Sequence, residues 1–204
     1  MRIFLAGASG VIGVRLVPLL VDDGHAVAGM TRSPERAGLL AELGAEPVVC
    51  DVFDAAALTD AVRAFAPEVV LHQLTDLPDE ARQVGAFGAR NARIRTEGTR
   101  NLVAAAAAAG ADRVIAQSIS WELPTESGRA VTGEHERTVL LAGGVVSGVV
   151  IRYGQFYGPG TYYETEPPPA PRVHIDEAAR RTIPALSVPP GITIVVDERA
   201  AAPR

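Results

Sequence analysis

The sequence predicts an α/β protein in which a doubly wound parallel sheet carries helices on both faces. Apolar runs typical of strands alternate along the chain with amphipathic stretches typical of helices, and this alternation indicates a parallel sheet. Some strand-like runs, such as residues 149–151, are apolar at every position, as expected for strands covered on both faces. The predicted strands are residues 2–6, 26–31, 47–51, 69–73, 113–117, 148–152 and 192–196.

Capping residues and helix breakers mark the helices between these strands. Ser, Pro and Glu at positions 33–35 combine an N-cap with a first-turn proline and an early acid. Asp54 is expected to cap a helix over Ala55–Phe65 in the same way. Residues 91–109 are rich in alanine and predict one long helix, and Asp176 is expected to cap the last helix.

Composition excludes several classes of function. The chain has 204 residues, 48% of them hydrophobic, which is a globular composition of one ordinary domain. The net charge is −5 and all 19 basic residues are arginines scattered without a basic block, so nucleic acid is not an expected partner. Histidines and carboxylates are too dispersed to predict a metal site.

The cellular setting follows from three further features. Cys50 is the single cysteine, lies in an apolar strand and allows no internal disulfide. No apolar run approaches the roughly 20 residues that span a bilayer, so no membrane insertion is expected. The chain enters a strand at once and shows no signal-peptide layout. A cytoplasmic protein is therefore the expectation.

The turn after the first strand predicts a dinucleotide site. Glycines occur there in the spacing G-x-x-G-x-x-G, between a strand and a helix. Glycine lets backbone amides and a helix N-terminus approach a pyrophosphate without interference from Cβ. We predict a Rossmann-type dinucleotide-binding domain, and a turn whose glycines serve only packing is the alternative. The residues expected to contact the cofactor here are Gly7, Ser9, Gly10, Val11, Ile12 and Gly13.

The ends of the next two strands bear on the identity of the cofactor. The second strand ends in Thr31-Arg32 with no acid, and an arginine there suits the 2′-phosphate of NADP, whereas an acid would bind the ribose of NAD. NADP is favoured and NAD remains possible, and Arg32 could instead belong to a capping turn. Asp51, followed by Val52, could accept a hydrogen bond from the adenine amino group or could only cap a turn.

Taken in order, many segments of the chain resemble the landmarks of extended short-chain dehydrogenases/reductases, of the NAD-dependent epimerase/dehydratase type and more closely its atypical branch. The resemblance implies that Leu74 and Thr75 lie beside the cofactor after the fourth strand. It also implies that Gly154, Gln155 and Phe156 line the nicotinamide and substrate region. The segments concerned are 7–13, 51–52, 71–75, 97–102, 113–118, 149–160 and 173–176.

The same resemblance identifies departures at the catalytic positions. The family uses a Ser or Thr after strand five and a Tyr-x-x-x-Lys on the next helix, whose tyrosine moves a proton at the substrate oxygen. Aligning Glu136 with the acid of that helix puts Gly128 at the tyrosine position and Thr132 at the lysine position. Ile119 stands where the hydroxyl usually does, and the sequence contains no lysine.

Other residues are candidates for the missing chemistry. Ser118 and Ser120 flank Ile119 and are expected to hold a substrate carbonyl. Tyr153 is a candidate proton donor, with packing at a strand end as the alternative. His135 could act as a base, although a solvated helix face is the favoured interpretation, and His72 is interpreted as a core histidine with satisfied hydrogen bonds.

We expect residues 1–157 to form the dinucleotide-binding domain and residues 158–204 a reduced substrate region packed on it. A short proline-rich loop replaces the family's longer excursion, which predicts an open pocket and would allow a homodimer. The first functional hypothesis is an oxidoreductase or epimerase acting on a small carbonyl, sugar-like or secondary-metabolite substrate with a non-standard proton donor. The alternatives are a non-redox cyclase, isomerase or dehydratase, and a non-catalytic NADP-binding sensor.

Overall fold

The computed structural model describes residues 1–78, 80–142 and 146–197. Seven strands form one sheet in which every neighbouring pair is parallel, and this confirms the predicted fold class. The described residues contain nine strands, of which β7 and β8 lie outside this sheet: β1 (Arg2–Ala6), β2 (Ala26–Thr31), β3 (Glu46–Val49), β4 (Val69–His72), β5 (Arg113–Ile119), β6 (Ser147–Tyr153), β7 (Gln155–Tyr157), β8 (Arg172–His174) and β9 (Gly191–Val195).

The order of the main sheet is β3-β2-β1-β4-β5-β6-β9. The chain therefore changes direction across the sheet between β1 and β4, and ligands of such sheets bind at the carboxyl ends beside that point. The connecting helices are α1 (Gly13–Asp22), α2 (Ala37–Glu42), α3 (Ala55–Phe65), α4 (Gly88–Arg93), α5 (Thr99–Ala108), α6 (Glu126–Leu141) and α7 (Ile175–Thr182).

Two hydrophobic layers enclose the sheet. Along β1, Ile3 and Leu5 join the layer that contains α1 and α7, while Phe4 and Ala6 join the layer that contains α3, α5 and α6. All four side chains are fully buried. Because successive side chains of a strand point to opposite faces, two covered faces require an apolar residue at every position.

The predicted helix over residues 91–109 is interrupted. A π-helical segment, Ile94–Gly98, separates α4 from α5. Alanine-rich composition favours any helical backbone, so propensity alone cannot register one extra residue in a turn. The extra residue rotates the following helix, and Thr99 at the start of α5 is fully buried between β4 and α6.

The predicted caps have different outcomes. Asp54 caps α3 as expected, because its carboxylate accepts a hydrogen bond from the Ala57 amide at 3.0 Å. The prediction that Asp176 caps the last helix is wrong. His174 is the cap, and its Nδ1 accepts from the Asp176 amide at 3.3 Å. Asp176 lies inside the first turn, where its carboxylate pairs with Arg15 of α1 at 2.6 Å.

The C-terminal segment builds on the same sheet. β9 pairs with β6, and α7 packs against α1. β7 and β8 form a separate two-stranded parallel sheet, which the sequence did not predict because each strand has only three residues. The last seven residues of the predicted segment, 198–204, lie outside the described residues.

A buried chain of hydrogen bonds joins β4, α5, α6 and β5. The Leu74 amide donates to Nδ1 of His72 at 3.2 Å, so Nε2 of His72 carries the proton and donates to Thr99 at 3.1 Å. Thr99 then donates to Nδ1 of His135 at 2.7 Å, and His135 Nε2 donates to the Gln117 carbonyl at 2.8 Å. We call this set the histidine relay, and each imidazole in it is neutral.

The relay decides two sequence interpretations. His72 is a core histidine with satisfied hydrogen bonds, as predicted. The interpretation of His135 as part of a solvated face is wrong, because only 2% of this residue is exposed. Burial holds the pKa of His72 well below its ordinary value, and the charge of Arg95 and the neighbouring titratable His135 act in the same direction. Burial also lowers the pKa of His135, although the Gln117 carbonyl opposes the shift.

We expect the relay to make the fold sensitive to acid. In the unfolded chain both imidazoles bind a proton as the pH falls through about 6.5, whereas in the folded chain they stay neutral to lower pH. Below that pH the unfolded state therefore binds more protons, and the free energy of unfolding should fall by up to about 1.4 kcal/mol per pH unit for each histidine. Urea denaturation at a series of pH values measures this slope.

A His72→Asn variant serves as the test of the assignment. It removes one of the two titrating groups, so its free energy of unfolding should depend less steeply on pH in the same window, whatever its stability at neutral pH. A wild-type free energy that stays constant between neutral pH and mild acid would contradict the neutral relay.

Candidate cofactor and substrate site

The glycine turn fits against the end of β4 with no room for a side chain. Gly7 has φ of +90°, and a Cβ there would lie 2.8 Å from the backbone carbonyl of Gln73. A Cβ on Gly13 would lie 2.2 Å from the carbonyl oxygen of Gly7. Both positions require glycine, and the first turn of α1 is thereby held directly over the carboxyl end of β1.

Several amides of this turn are unused. The Gly10 amide donates to the Gly7 carbonyl at 3.1 Å. Within the residues that the structure describes, the amides of Ser9, Val11 and Ile12 donate to no acceptor. They precede the first turn of α1, where the helix dipole also favours negative charge. The turn therefore fits the diphosphate of a dinucleotide, and each predicted residue from Gly7 to Gly13 belongs to it.

Thr31 and two arginines surround the adenosine side of the turn. The buried Thr31 hydroxyl contacts the Ser9 hydroxyl at 2.9 Å and accepts from the Ser33 amide at 3.2 Å. Arg36 donates to the Ser9 carbonyl at 3.0 Å, which brings a second guanidinium to the turn beside Arg32. Sequence reasoning did not include Arg36, although its position four residues after Arg32, in the short 3-10 helix Pro34–Arg36, was a usable signal.

Arg32 is held by a buried carboxylate. Its guanidinium donates to Asp76 at 3.2 Å, and Arg90 binds both oxygens of the same carboxylate at 2.9 and 3.0 Å. Asp76 is 6% exposed, whereas the Arg32 side chain is 60% exposed and open to a ligand. With Arg36, the cluster holds three guanidiniums against one carboxylate. This excess of positive charge suits a phosphate group.

Asp51 forms the turn that the sequence offered as one alternative. Its Oδ1 accepts from the Phe53 amide at 2.9 Å, and the residue is exposed. The following Val52 is buried, and its carbonyl accepts from Asn101 of α5 at 2.9 Å. The second carboxylate oxygen of Asp51 has no protein partner among the described residues, so its contact with adenine stays a prediction.

The ends of β4 and β5 are joined near the expected nicotinamide. Gln117 donates from its side chain to the Leu74 carbonyl at 3.0 Å. Leu74 is half-buried and Thr75 is exposed, so both can border a bound ligand. Their contact with the cofactor remains a prediction, supported by their place at the carboxyl edge of the sheet.

Ser118 is buried and donates its hydroxyl hydrogen bond to the carboxylate of an ion pair. It is 2% exposed and donates to Glu136 of α6 at 2.6 Å. Arg152 of β6 binds both oxygens of that carboxylate at 2.8 and 2.6 Å. Burial opposes ionisation of Glu136, but the bonds from Arg152 and Ser118 outweigh it, so the pKa of this carboxyl lies below its ordinary value. This geometry favours a structural role for Ser118.

Tyr153 lies in the core. Its hydroxyl contacts Thr182 of α7 at 2.6 Å and accepts from Gln73 at 3.5 Å, and the residue is 2% exposed. Burial raises the pKa of Tyr153 to about 12. The arrangement favours the packing alternative over proton donation.

The residues after β6 are held by backbone contacts. The Gly154 amide donates to the Val195 carbonyl at 3.0 Å, and a Cβ on Gly154 would lie 2.5 Å from Arg172. The Gln155 amide donates to Pro171 at 2.9 Å. Phe156 packs edge-on against the Tyr153 ring with 5.3 Å between centroids. Their predicted contact with nicotinamide is not tested by these contacts.

Helix α6 carries no tyrosine, and its basic residues are arginines. The Gly128 amide donates to the capping hydroxyl of Thr125 at 3.1 Å, and a Cβ on Gly128 would lie 2.9 Å from that oxygen. Thr132 accepts from Arg95 of the π-helical segment at 2.7 Å. Arg95 therefore brings a guanidinium to the position where the family resemblance expected a lysine.

A cavity of about 370 Å³ opens beside this face of α6. It lies at the carboxyl ends of β5, β6 and β9, and Ser120 borders it. The hydroxyl of Ser120 is buried and has no hydrogen-bond partner in the described part of the chain. The residues that define the cavity include Ser120, Trp121, Leu123, Arg129, Gly133 and Ile194.

Two further classes of site are absent from the described residues. No helix there is long and apolar enough to cross a membrane. The ranges 1–78, 80–142 and 146–197 also contain no cluster of three His, Cys, Asp or Glu side chains able to hold a metal ion.

Comparison with curated proteins finds a reductase. The chain is similar to "3-diazoavenalumate denitrifying reductase" from a Streptomyces species, with 40% identity over 194 aligned residues. The alignment covers 85% of this chain and 62% of that protein, so the chain spans less than two thirds of the relative's length.

Solved structures show the same fold. UDP-glucose 4-epimerase of Thermus thermophilus, in complex with NAD, superposes with a TM-score of 0.78 at 20% identity, over 96% of this chain and 78% of that one. A short-chain dehydrogenase/reductase superfamily protein from Agrobacterium tumefaciens, with bound NAD, gives 0.60 at 24% identity, over 76% and 50% of the two chains. The family described as NAD(P)H-binding matches residues 7–134. The chain therefore has the fold of the epimerases and short-chain dehydrogenases/reductases and belongs to the NAD(P)H-binding family.

Proposed function

We propose that this protein is an NADPH-dependent reductase whose substrate accepts hydride without a proton from a protein acid. The observation that carries the proposal is the glycine turn with unused amides that include those of Ser9, Val11 and Ile12. A turn that closes on β4 and leaves these donors free has the geometry of a diphosphate site.

The choice of NADPH over NADH rests on the arginine cluster. Arg32 is exposed beside the turn, and Arg36 reaches the turn itself. Charge-assisted hydrogen bonds from guanidinium groups are strong and directional toward phosphate. Asp76 already holds Arg32 in place, so the Arg32 side chain loses little conformational freedom when a phosphate binds.

The absence of a tyrosine and a lysine from α6 narrows the class of substrate that the protein can reduce. Gly128 and Thr132 stand where a tyrosine and a lysine were expected, and neither can supply a proton near neutral pH. Tyr153 is bonded within the core and Ser118 is bonded to Glu136. Reduction of a simple ketone needs both a hydride and a proton. A substrate that is already electron-poor needs only the hydride.

A diazo group meets this requirement, and the name of the Streptomyces relative gives a diazo compound as its substrate. NAD(P)H supplies a hydride when bound, so an aryl diazonium would become the arene with loss of dinitrogen and formation of NAD(P)⁺. In this proposal the residues of the chain bind the coenzyme and the substrate and orient them for hydride transfer. The turn amides hold the diphosphate, Arg32 and Arg36 hold the 2′-phosphate, and the cavity beside α6 receives the substrate.

The phosphate assignment can be tested with Arg32→Gln. The variant loses a charge-assisted contact with the 2′-phosphate, so we expect NADPH to bind about tenfold more weakly, or about 1.4 kcal/mol, while NADH binding stays within about twofold. Titration followed by the fluorescence of the reduced coenzyme measures both. Arg82→Gln is the control, because Arg82 is an exposed arginine paired only with Glu80. Equal loss of both coenzymes in Arg32→Gln would exclude the assignment.

The reaction can be tested with para-carboxybenzenediazonium and NADPH deuterated at the transferable position. We expect coenzyme oxidation, release of dinitrogen and one deuterium in the arene, with none taken up from deuterated water. Mixtures lacking the protein or the coenzyme give the background. Solvent deuterium in the product would show that a proton donor is used, and tight NADPH binding without any reduction would favour the sensor.

Tyr153→Phe separates the two interpretations of this tyrosine. The variant loses the hydrogen bond to Thr182, so we expect a stability loss of about 1 kcal/mol and a reduction rate within about twofold of the wild type. Thermal denaturation and the diazonium assay measure these quantities. A rate that falls by orders of magnitude in a folded variant would restore Tyr153 as the proton donor.

A further inference from the structure

The cavity beside α6 has an apolar wall that includes an indole. Trp121 is half-buried and is the only tryptophan of the chain. Leu123 adds to this wall from the same loop, and Ile194 adds to it from β9 with 56% of its surface exposed. A volume of about 370 Å³ lies in the range of small-molecule sites.

The polar lining of the cavity has more unused donors than unused acceptors. Both oxygens of Glu136 already accept hydrogen bonds, from Ser118 and Arg152. Arg152 uses Nε and Nη2 for this pair, and its Nη1 has no partner among the described residues. Arg129 uses only Nη1, on two carbonyls of the neighbouring loop. The remaining N–H groups of Arg129 and Arg152 can therefore donate hydrogen bonds to a ligand.

The other carboxylate at the cavity does not fill this need. Glu122 lies at the rim with 80% of its side chain exposed, 3.6 Å from Nε of Arg129. An exposed pair at that distance contributes little. A ligand with hydrogen-bond acceptors would complete the lining, and guanidinium groups select carboxylate or phosphate by their planar arrangement of donors.

Gly133 keeps the cavity open. It lies in the middle of the sixteen-residue helix α6, where glycine costs about 0.5–1 kcal/mol relative to alanine. Its φ is not positive, so the backbone does not require glycine, and a Cβ there would meet no atom within 4 Å. Since Gly133 lines the cavity, the missing side chain leaves room for a ligand.

We propose that this cavity binds a small carboxylate with a planar apolar body. The carboxylate lies against Arg129 and Arg152, and the body lies against Trp121 above Gly133. The proposal rests on the proposed function for its role, since such an acid would be the substrate class of the reductase. Binding itself can be tested without turnover.

The sole tryptophan makes the test direct. We expect 3-phenylpropanoate, which absorbs little where indole is excited, to change Trp121 fluorescence in a saturable way. The uncharged 3-phenylpropanamide should bind at least about tenfold more weakly, because it cannot pair with the guanidiniums. Arg129→Gln should weaken the acid by about tenfold as well. Arg137→Gln is the control, since Arg137 is exposed on α6 outside the cavity.

Filling the space is the second test. Gly133→Leu should abolish the response to 3-phenylpropanoate and leave the protein at least as stable, because leucine is the better helix former. Gly38→Leu is the matched control, since Gly38 lies in α2 with no atom near a Cβ. The fluorescence of NADPH, measured on the same samples, reports the cofactor site.

These measurements separate the two proposals. Equal affinity for the acid and the amide, or full binding in a stable Gly133→Leu variant, overturns the carboxylate site and leaves the reductase standing if NADPH still binds. Saturable binding of the acid without NADPH binding supports the cavity and overturns the reductase.

Discussion

The contact between the Gly7 turn and the Gln73 backbone is the constraint on which the cofactor site depends. Strands β1 and β4 are neighbours at the point where the sheet order reverses, so the loops that leave their carboxyl ends diverge and open a crevice. The turn can enter that crevice only if nothing projects from Gly7. Gly13 then lets α1 start against the same turn, because a Cβ there would lie 2.2 Å from the Gly7 carbonyl oxygen.

The histidine relay holds the side of the crevice that is formed by the ends of β4 and β5. It runs from the Leu74 amide through α5 and α6 to the Gln117 carbonyl, and Gln117 returns to the Leu74 carbonyl through its side chain. The Leu74 amide at one end and the Gln117 carbonyl at the other set the direction of the relay, although the Thr99 hydroxyl also lies 3.4 Å from the Ile94 carbonyl. The loop after β4 is thereby tied to the end of β5, and both edges of the expected nicotinamide pocket belong to one hydrogen-bonded network.

Sequence patterns predicted the features that depend on interactions between residues close together in the chain. The apolar run of β1, the Asp54 cap and the glycine turn each depend on residues a few positions apart. His135 was misjudged because α6 is nearly as polar as a surface helix, and its burial depends on Thr99 and Gln117, which are distant in sequence. The prediction that Asp176 caps α7 was wrong for a similar reason. The Asp176 carboxylate pairs with Arg15 of α1, which is distant in sequence, and His174 caps the helix. No pattern of neighbouring residues predicts the cavity or the contact of Arg95 with Thr132, because both join residues that are distant in sequence.

The exclusive use of arginine shapes the chemistry that the site can perform. A guanidinium stays protonated at any pH at which the protein folds, so Arg32, Arg95, Arg129 and Arg152 can hold anions but cannot release a proton to a substrate. With no lysine in the chain and no tyrosine on α6, neither member of the family's usual proton-transfer pair is present, while several guanidinium groups are. Hydride transfer to a substrate that already lacks electrons needs only binding and orientation. Gly133, one residue after the expected lysine position, fits the same arrangement because it leaves volume in the cavity beside α6.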